Sequence, residues 1–561
     1  MTARAAAFTG AVAEPGAALG LARRTDRTAE AHLPQRRPAG DPVQLVTDAF
    51  AAVAADLARL ARELRHRGQP EAADIMEVTG YIAADPDLLA DAVRHASHGT
   101  SAAAAIEQAV DRHADAIAAL DDPVLAERAA DVRQVGRRAL AWLDGRAAHT
   151  PAGPLVLIAR EIGAADLLDA RTPIAAALSV SGGPNSHAAI IARSLSIPLL
   201  VGLDPAVLDL QDGVELLIDG ECGLVRPDPS PSEREAVLAR LARLRDERAA
   251  YLSERDRPAR TADGHPVTLL ANIATPADAR AALEVNADGF GLLRTELPFL
   301  DAPGWPTQTL HARALKPVLA DLAGRPVTVR TLDFADDKLP PFLAAQNATE
   351  RLGRAMPHML AAPDAFGAQL RAILTAAPPG TGLTIMIPMV ADLAELNACR
   401  RLLHQAAAAV DVPPPPLGIM VELPQAVERV HELAAAAAFI SIGSNDLTGQ
   451  ILGLDRRDPA AGPAMTAHPR VLTAIARVVQ AAHRHGRTVS VCGDAAAHPL
   501  VIPLLLGLGV DSLSAAPAGI DEIRYRIRRL RIADCADIAR TARGYNTAEQ
   551  SWALVRERAW L

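Results

Sequence analysis

Between residues 261 and 540 eight short apolar runs recur, separated by helical stretches. They are VTLLANI (267–273), GFGLL (289–293), PVTVRTLD (326–333), LTIMIPMV (383–390), LGIMVEL (417–423), AFISIGSNDL (438–447), TVSVCGD (488–494) and SLSAAP (512–517). Runs of this length, rich in Val, Ile and Leu, read as strands buried on both faces. Eight of them alternating with helices predict a (β/α)8 barrel. The helix-only stretch at 341–374 is then an excursion after the third strand.

The preceding residues have a different texture. Residues 1–40 are rich in Gly, Pro and Arg and predict a strand or two. From Asp41 onward Val46, Phe50, Val53, Leu57, Leu60 and Leu64 recur at spacings of four and three, one continuous helical stripe. Similar patterns reach Leu143, broken by turn signals at RGQP, ADPD and LDDP, which predicts a small helical bundle over 41–145. Residues 146–230 alternate apolar strands (PLVLIA, IAAALSV, PLLVGL, VELLIDGECGLVRP) with Gly/Pro turns, a small α/β unit. PDPSPSERE at 227–235 reads as a hinge, and the charged helix after it as a solvated linker over 231–260. The barrel takes 261–540 and a helical tail 541–561.

Composition excludes several classes. A formal net charge of −9 over 561 residues gives no electrostatic reason for a nucleic-acid partner, and aromatics amount to only 3%. The four cysteines (Cys222, Cys399, Cys492, Cys535) contain no C-x-x-C pair, against a disulfide framework or structural zinc. The longest apolar runs are too short to span a bilayer. A cytoplasmic protein without membrane insertion is expected.

Barrels of this kind carry their chemistry at the C-terminal strand ends. Here those ends bear Arg294 and Glu296, Arg330 and Asp333, Glu422, Asn445 and Asp446, and Cys492. Arg294 and Arg330, joined by Arg456 in LGLDRR, offer planar forks for carboxylate or phosphate oxygens. Glu422 and Asp446 are hard oxygen ligands in a number that suits Mg2+, which keeps waters and takes substrate oxygens. Together they predict a site for a small phosphorylated carboxylate. Cys492, followed by Gly493 and Asp494, can deliver a proton to a carbanion or enolate. In SGGPNSHAAIIARS (181–194), Gly182-Gly183-Pro184 forms a turn, Asn185 or Ser186 caps a helix, and His187 stands at its mouth.

These motifs, in this order, resemble Enzyme I of the bacterial phosphoenolpyruvate-dependent sugar phosphotransferase system along nearly the full chain. The resemblance is carried by AVAEPGAALG, ERAADVRQVGRRAL, SGGPNSHAAIIARSLSIPLLVG, ANIATPADA, GLLRTELPFLD, VRTLDFADDK, QLRAIL, IMIPMV, GIMVELP, SIGSNDLTG and VCGD. It implies a helical bundle inserted in a small swivelling α/β phosphohistidine domain, followed by the barrel. It implies that His187 is phosphorylated, that Arg294, Arg330, Arg354 and Arg456 bind phosphoenolpyruvate with Asn445 and Asp446, that Glu422 and Asp446 hold Mg2+, and that Cys492 donates a proton. The helical region would dock HPr, the small phosphocarrier protein, and the barrel would form a homodimer.

Several positions depart from that family's pattern: Asn185 before the Ser-His pair, Ala335 and Asp336 before Asp337-Lys338, Pro357, Leu423 after Glu422, Gly449-Gln450, and Asp494. A divergent paralogue acting on a regulatory phosphocarrier, or a non-catalytic HPr-binding regulator, are the alternatives these departures leave open. A pyruvate phosphate dikinase would need a nucleotide-binding domain, for which the helical region is too short and has no Gly-rich phosphate loop.

Overall fold

The computed structural model describes the chain apart from residues 1–6, 26–39, 67–69, 120–127, 144–152, 169–172, 184–185, 196, 301, 323, 335–339, 341–342, 344–353, 455–461 and 560–561. It divides into two compact units, 1–246 and 247–561.

The first unit holds an eight-stranded sheet built from β1 (Phe8–Thr9), β2 (Ala11–Glu14), β3 (Ala17–Arg24), β4 (Leu155–Ala159), β5 (Ile174–Ser179), β6 (Leu199–Val201), β7 (Glu215–Asp219) and β8 (Leu224–Pro227). Their order is β1-β8-β7-β3-β4-β5-β6-β2. The N-terminal segment thus supplies three strands where the sequence suggested one or two. β3 and β4 are parallel neighbours, Leu21 opposite Leu155. Five described helices lie between them in the chain: α1 (Pro42–His66), α2 (Pro70–Ala83), α3 (Pro86–Ser97), α4 (Ala102–Ala118) and α5 (Arg128–Leu143). The bundle is therefore an insertion into the sheet, as the resemblance implied.

The alternation of side chains along a strand explains how sheet and bundle share one core. Leu155, Leu157 and Ala159 of β4 pack with the α1 stripe, all six of whose residues are buried. Val156 and Ile158 point the other way, into a smaller core with Ala18, Leu178 and Ile218. Between β5 and β6 runs α6 (His187–Leu195), which buries Ala188, Ala189, Ile191 and Ala192.

Helix α7 (Pro231–Ser253) has no buried residue, as its dense charge foretold. Ser230 and Glu233 close its first turn reciprocally: Ser230 N–H donates to Glu233 Oε2 (2.8 Å) and Glu233 N–H to Ser230 Oγ (3.3 Å).

The second unit is a closed barrel of parallel strands: β9 (Thr268–Ile273), β10 (Gly289–Leu293), β11 (Pro326–Arg330), β12 (Gly382–Ile387), β13 (Leu417–Val421), β14 (Ile440–Ile442), β15 (Val489–Val491) and β16 (Ser512–Ala515), with β16 pairing back to β9. Seven sit inside the runs read from the sequence, and β12 starts one residue ahead of its run, at Gly382. Part of the excursion after β11, residues 341–342 and 344–353, lies outside the described residues; helices Ala355–Ala361 and Pro363–Ala376 are seen in the rest. No helix among the described residues is long and apolar enough to cross a membrane.

Candidate active site

Parallel strands deliver the residues that follow them to one rim of the barrel, and Arg330, Glu422, Asp446 and Cys492 come together there. Arg330 ends β11. Its Nη2 donates to Glu296 Oε1 at 2.8 Å, and its Nη1 lies 2.9 Å from Asp333 Oδ2. All three side chains are only about a tenth exposed, 11%, 9% and 11% for Arg330, Glu296 and Asp333. Burial by itself would lower the Arg330 pKa. The surrounding Asp333, Glu296, Glu422 and Cys492 outweigh that and push it above the ordinary guanidinium value. Both Nη groups thus face protein carboxylates, whereas the sequence reading aimed the fork at a ligand. Arg330 Nε and Glu296 Oε2 stay buried without a hydrogen-bond partner among the described residues. A network behind Arg330 fixes its strand end: Thr295 Oγ1 donates to Arg330 O (2.9 Å), and Gln369 Nε2 donates to Thr295 Oγ1 (3.0 Å).

Glu422 follows β13 and is buried. Burial, then the negative charges of Asp333 and Asp446, push its carboxyl up to about 8; Arg330 and the Met389 N–H pull the other way. That Met389 N–H donates to Glu422 Oε2 at 3.0 Å. Among the described residues no group of three or more His, Cys, Asp or Glu side chains could hold a metal unaided. The pair Glu422 and Asp446 nevertheless fits a divalent cation that needs few protein ligands, and a cation there would relieve the repulsion that adds to burial in raising Glu422.

Cys492 follows β15 and sits in a buried cluster with Leu292, Met386 and Met420. Its Sγ lies 3.6 Å from Ile442 O. Burial pushes the thiol up to about 12, a hydrogen bond involving Ser441 works against this, and the nearby Glu422 adds to it. It therefore stays protonated at neutral pH, the form a proton donor needs.

Asn445 and Asp494 are locked together on the exposed rim: Asn445 Nδ2 donates to Asp494 Oδ2 (2.9 Å), and Asp494 N–H donates to Asn445 Oδ1 (3.0 Å). Asp494, a departure from the family's pattern, thus orients the predicted substrate contact. Arg354 precedes helix Ala355–Ala361 and makes a two-pronged contact with Glu395, 2.9 and 2.8 Å. Arg294, one residue past β10, is exposed. Arg456, Asn185, Ala335 and Asp336 lie outside the described residues. Pro357 lies within the helix that follows Arg354, and Leu423 is buried beside Glu422.

In the first unit His187 opens α6, and only its backbone is described. Ser186 is the cap: its Oγ accepts the Ala189 N–H at 3.3 Å. A helix N-terminus presents free N–H groups and the positive end of the dipole, which favour a phosphoryl group on the first residue.

Met389, Glu395 and Gly443 are the site residues that the sequence reading passed over. IMIPMV carries part of the family resemblance, and its proline is the available signal for a special backbone at the strand end. Nothing in the sequence pairs Glu395 with Arg354 across 41 positions.

Comparison with known proteins gives these positions a context. The family described as PEP-utilising enzyme, PEP-binding domain, matches residues 248–532; the PEP-utilising enzyme N-terminal and mobile-domain families match 9–128 and 152–223. A multiphosphoryl transfer protein of Xanthomonas campestris pv. campestris is 36% identical over 569 residues, covering 98% of this chain and 67% of that protein. Another, from Rhodobacter capsulatus, is 35% identical over 505 residues, with 88% and 61% covered. A phosphoenolpyruvate-protein phosphotransferase of Streptomyces coelicolor is 36% identical over 513 residues, with 90% and 89% covered. The chain thus spans about two thirds of the multiphosphoryl transfer proteins and most of the Streptomyces protein. A solved N-terminal domain of nitrogen Enzyme 1 is 28% identical, covering 43% of this chain and 99% of that one at a TM-score of 0.31. With three of its domain families matched in order and relatives this similar along most of its length, the chain belongs to the PEP-utilising enzymes, as a phosphoenolpyruvate-protein phosphotransferase of the Enzyme I kind.

Proposed function

We propose that this phosphotransferase moves the phosphoryl group of phosphoenolpyruvate to its own His187, and from there to HPr, releasing pyruvate. The observation that carries the reading is the convergence of Arg330, Glu422 and Cys492, with Asp446 acting on Glu422, at one end of the barrel. Arg294, Arg330, Arg354 and Arg456, with Asn445 and Asp446, bind the carboxylate and phosphate of the substrate. Glu422 and Asp446 would hold Mg2+, which when bound would supply positive charge against the phosphoryl and enolate oxygens.

As the substrate's bridging P–O bond breaks, a ring nitrogen of His187 forms the new P–N bond and the electron pair stays on the enolate. Arginine donors aimed at these oxygens stabilise the charge in transit. The protonated Cys492 thiol then gives its proton to the enolate carbon, yielding pyruvate, and regains a proton from solvent.

In the same reading, 1–40 and 146–230 form the phosphohistidine domain, 41–145 docks HPr, 231–260 links the two parts, and 261–540 binds phosphoenolpyruvate. The residues 541–561 form a helical tail, the barrel mediates a homodimer, and the enzyme works in the cytoplasm. Incubation with 32P-labelled phosphoenolpyruvate and Mg2+ tests it. Label is expected on the parent, none on His187→Ala, and label should chase to added HPr. An unlabelled parent that still binds HPr would instead favour the regulator.

A further inference from the structure

Four described residues other than glycine have positive φ: Asp228, Asn286, Met389 and Asp411. Three are Asp or Asn, whose short polar side chains tolerate the left-handed region; a long apolar side chain has no such compensation. Met389, at φ +51°, lies two residues beyond the end of β12. Its two backbone polar groups point at two different functional side chains. The N–H donates to Glu422 Oε2 (3.0 Å), and the carbonyl accepts from Arg354 Nη1 (3.1 Å). Arg354 is held from its other side by Glu395, which also accepts the Ala391 N–H at 2.8 Å.

We propose that Met389 is a positioning residue whose left-handed backbone ties the Glu422 carboxylate to the Arg354 guanidinium, so that a divalent cation and phosphoenolpyruvate bind interdependently. This rests on the assignment of Glu422 to the cation and Arg354 to the substrate. Rotation of residue 389 into the extended or right-handed region turns its N–H and C=O together. Both contacts are then lost at once, and each side chain is freed from the geometry the other ligand needs. The methionine side chain is incidental to this; what matters is the backbone conformation it must hold.

The test is a series in the full-length protein: Met389→Gly, Met389→Asn, Met389→Ala and Met389→Val. Mn2+ affinity is measured without substrate by electron paramagnetic resonance, alongside KM for phosphoenolpyruvate and kcat. If the backbone is decisive, Gly and Asn lose least, Ala more, and Val most, by about tenfold in Mn2+ affinity, because β-branched residues avoid the left-handed region. KM for phosphoenolpyruvate should rise in the same order. A packing role gives the reverse order, with Gly worst and Val mild, and that result overturns the proposal. Circular dichroism checks folding, and should Met389→Val not fold, the order among Gly, Asn and Ala decides. Glu422→Gln separates the two levels of inference. If it leaves Mn2+ affinity unchanged, the site assignment itself has failed; if it weakens Mn2+ binding and Met389→Val does not, only the role of Met389 falls.

Discussion

Glu422 fills the space that a side chain on residue 443 would need. A Cβ on Gly443 would stand 2.5 Å from Glu422 Cγ and 2.6 Å from its Oε1. Gly443 follows β14 and leads into helix Ser444–Leu452, so Glu422, just past β13, and the helix carrying Asp446 approach through a gap that only hydrogen fits. Gly443→Ala should push the carboxylate aside and lower kcat/KM by about a hundredfold, since displacements near 1 Å cost that much in an organised site. Steady-state kinetics at several Mg2+ concentrations, with circular dichroism to establish folding, measures it. Unchanged kinetics would show that Glu422 has room to move.

Arg330 faces two carboxylates that are at least as buried as itself. Arg330→Met should destabilise the barrel by about 3–5 kcal/mol, because it removes the buried cation that Glu296 and Asp333 face. Adding Glu296→Gln should recover part of that loss. Urea unfolding of the parent, single and double variants checks both; an additive double variant would mean the pair does not couple.

The protonated Cys492 thiol has one expected task. Cys492→Ser should slow pyruvate formation by about a hundredfold while KM for phosphoenolpyruvate changes little, the pattern of a lost proton donor. A rise in KM with kcat preserved would place the thiol in binding instead.

His311, in helix Gln308–Ala320, is buried edge-on against Phe299 at 4.7 Å, with neither ring nitrogen hydrogen-bonded among the described residues. Burial lowers its pKa to about 4 from 6.5. The folded state therefore holds a neutral imidazole, and its contribution is fully present above pH 6.5. As pH falls toward 4 the unfolded chain takes up the proton first, and about 3 kcal/mol of stability is lost across that window. His311→Leu should flatten that part of the stability profile, read by denaturant unfolding at pH 7.5 and pH 4.5; an unchanged slope would sink the assignment.

Much of this protein was legible as a string of residues. Strand existence and helix stripes follow from local periodicity, which is why the eight barrel strands and the Val46–Leu64 stripe stand where the pattern put them. Residue types at strand ends are likewise fixed locally, because a strand's direction decides which rim receives the residue after it. That was enough to gather Arg330, Glu422, Asp446 and Cys492. Partnership is another matter. That Arg330 faces Glu296 and Asp333, that Arg354 pairs with Glu395, that Asp494 clasps Asn445, and that Met389 turns left-handed between two functional side chains depend on distances between segments far apart in the chain. Burial and charge then act over those distances to set the protonation of Glu422 and Cys492, so the residues come from the sequence while their proton states come from the packed barrel.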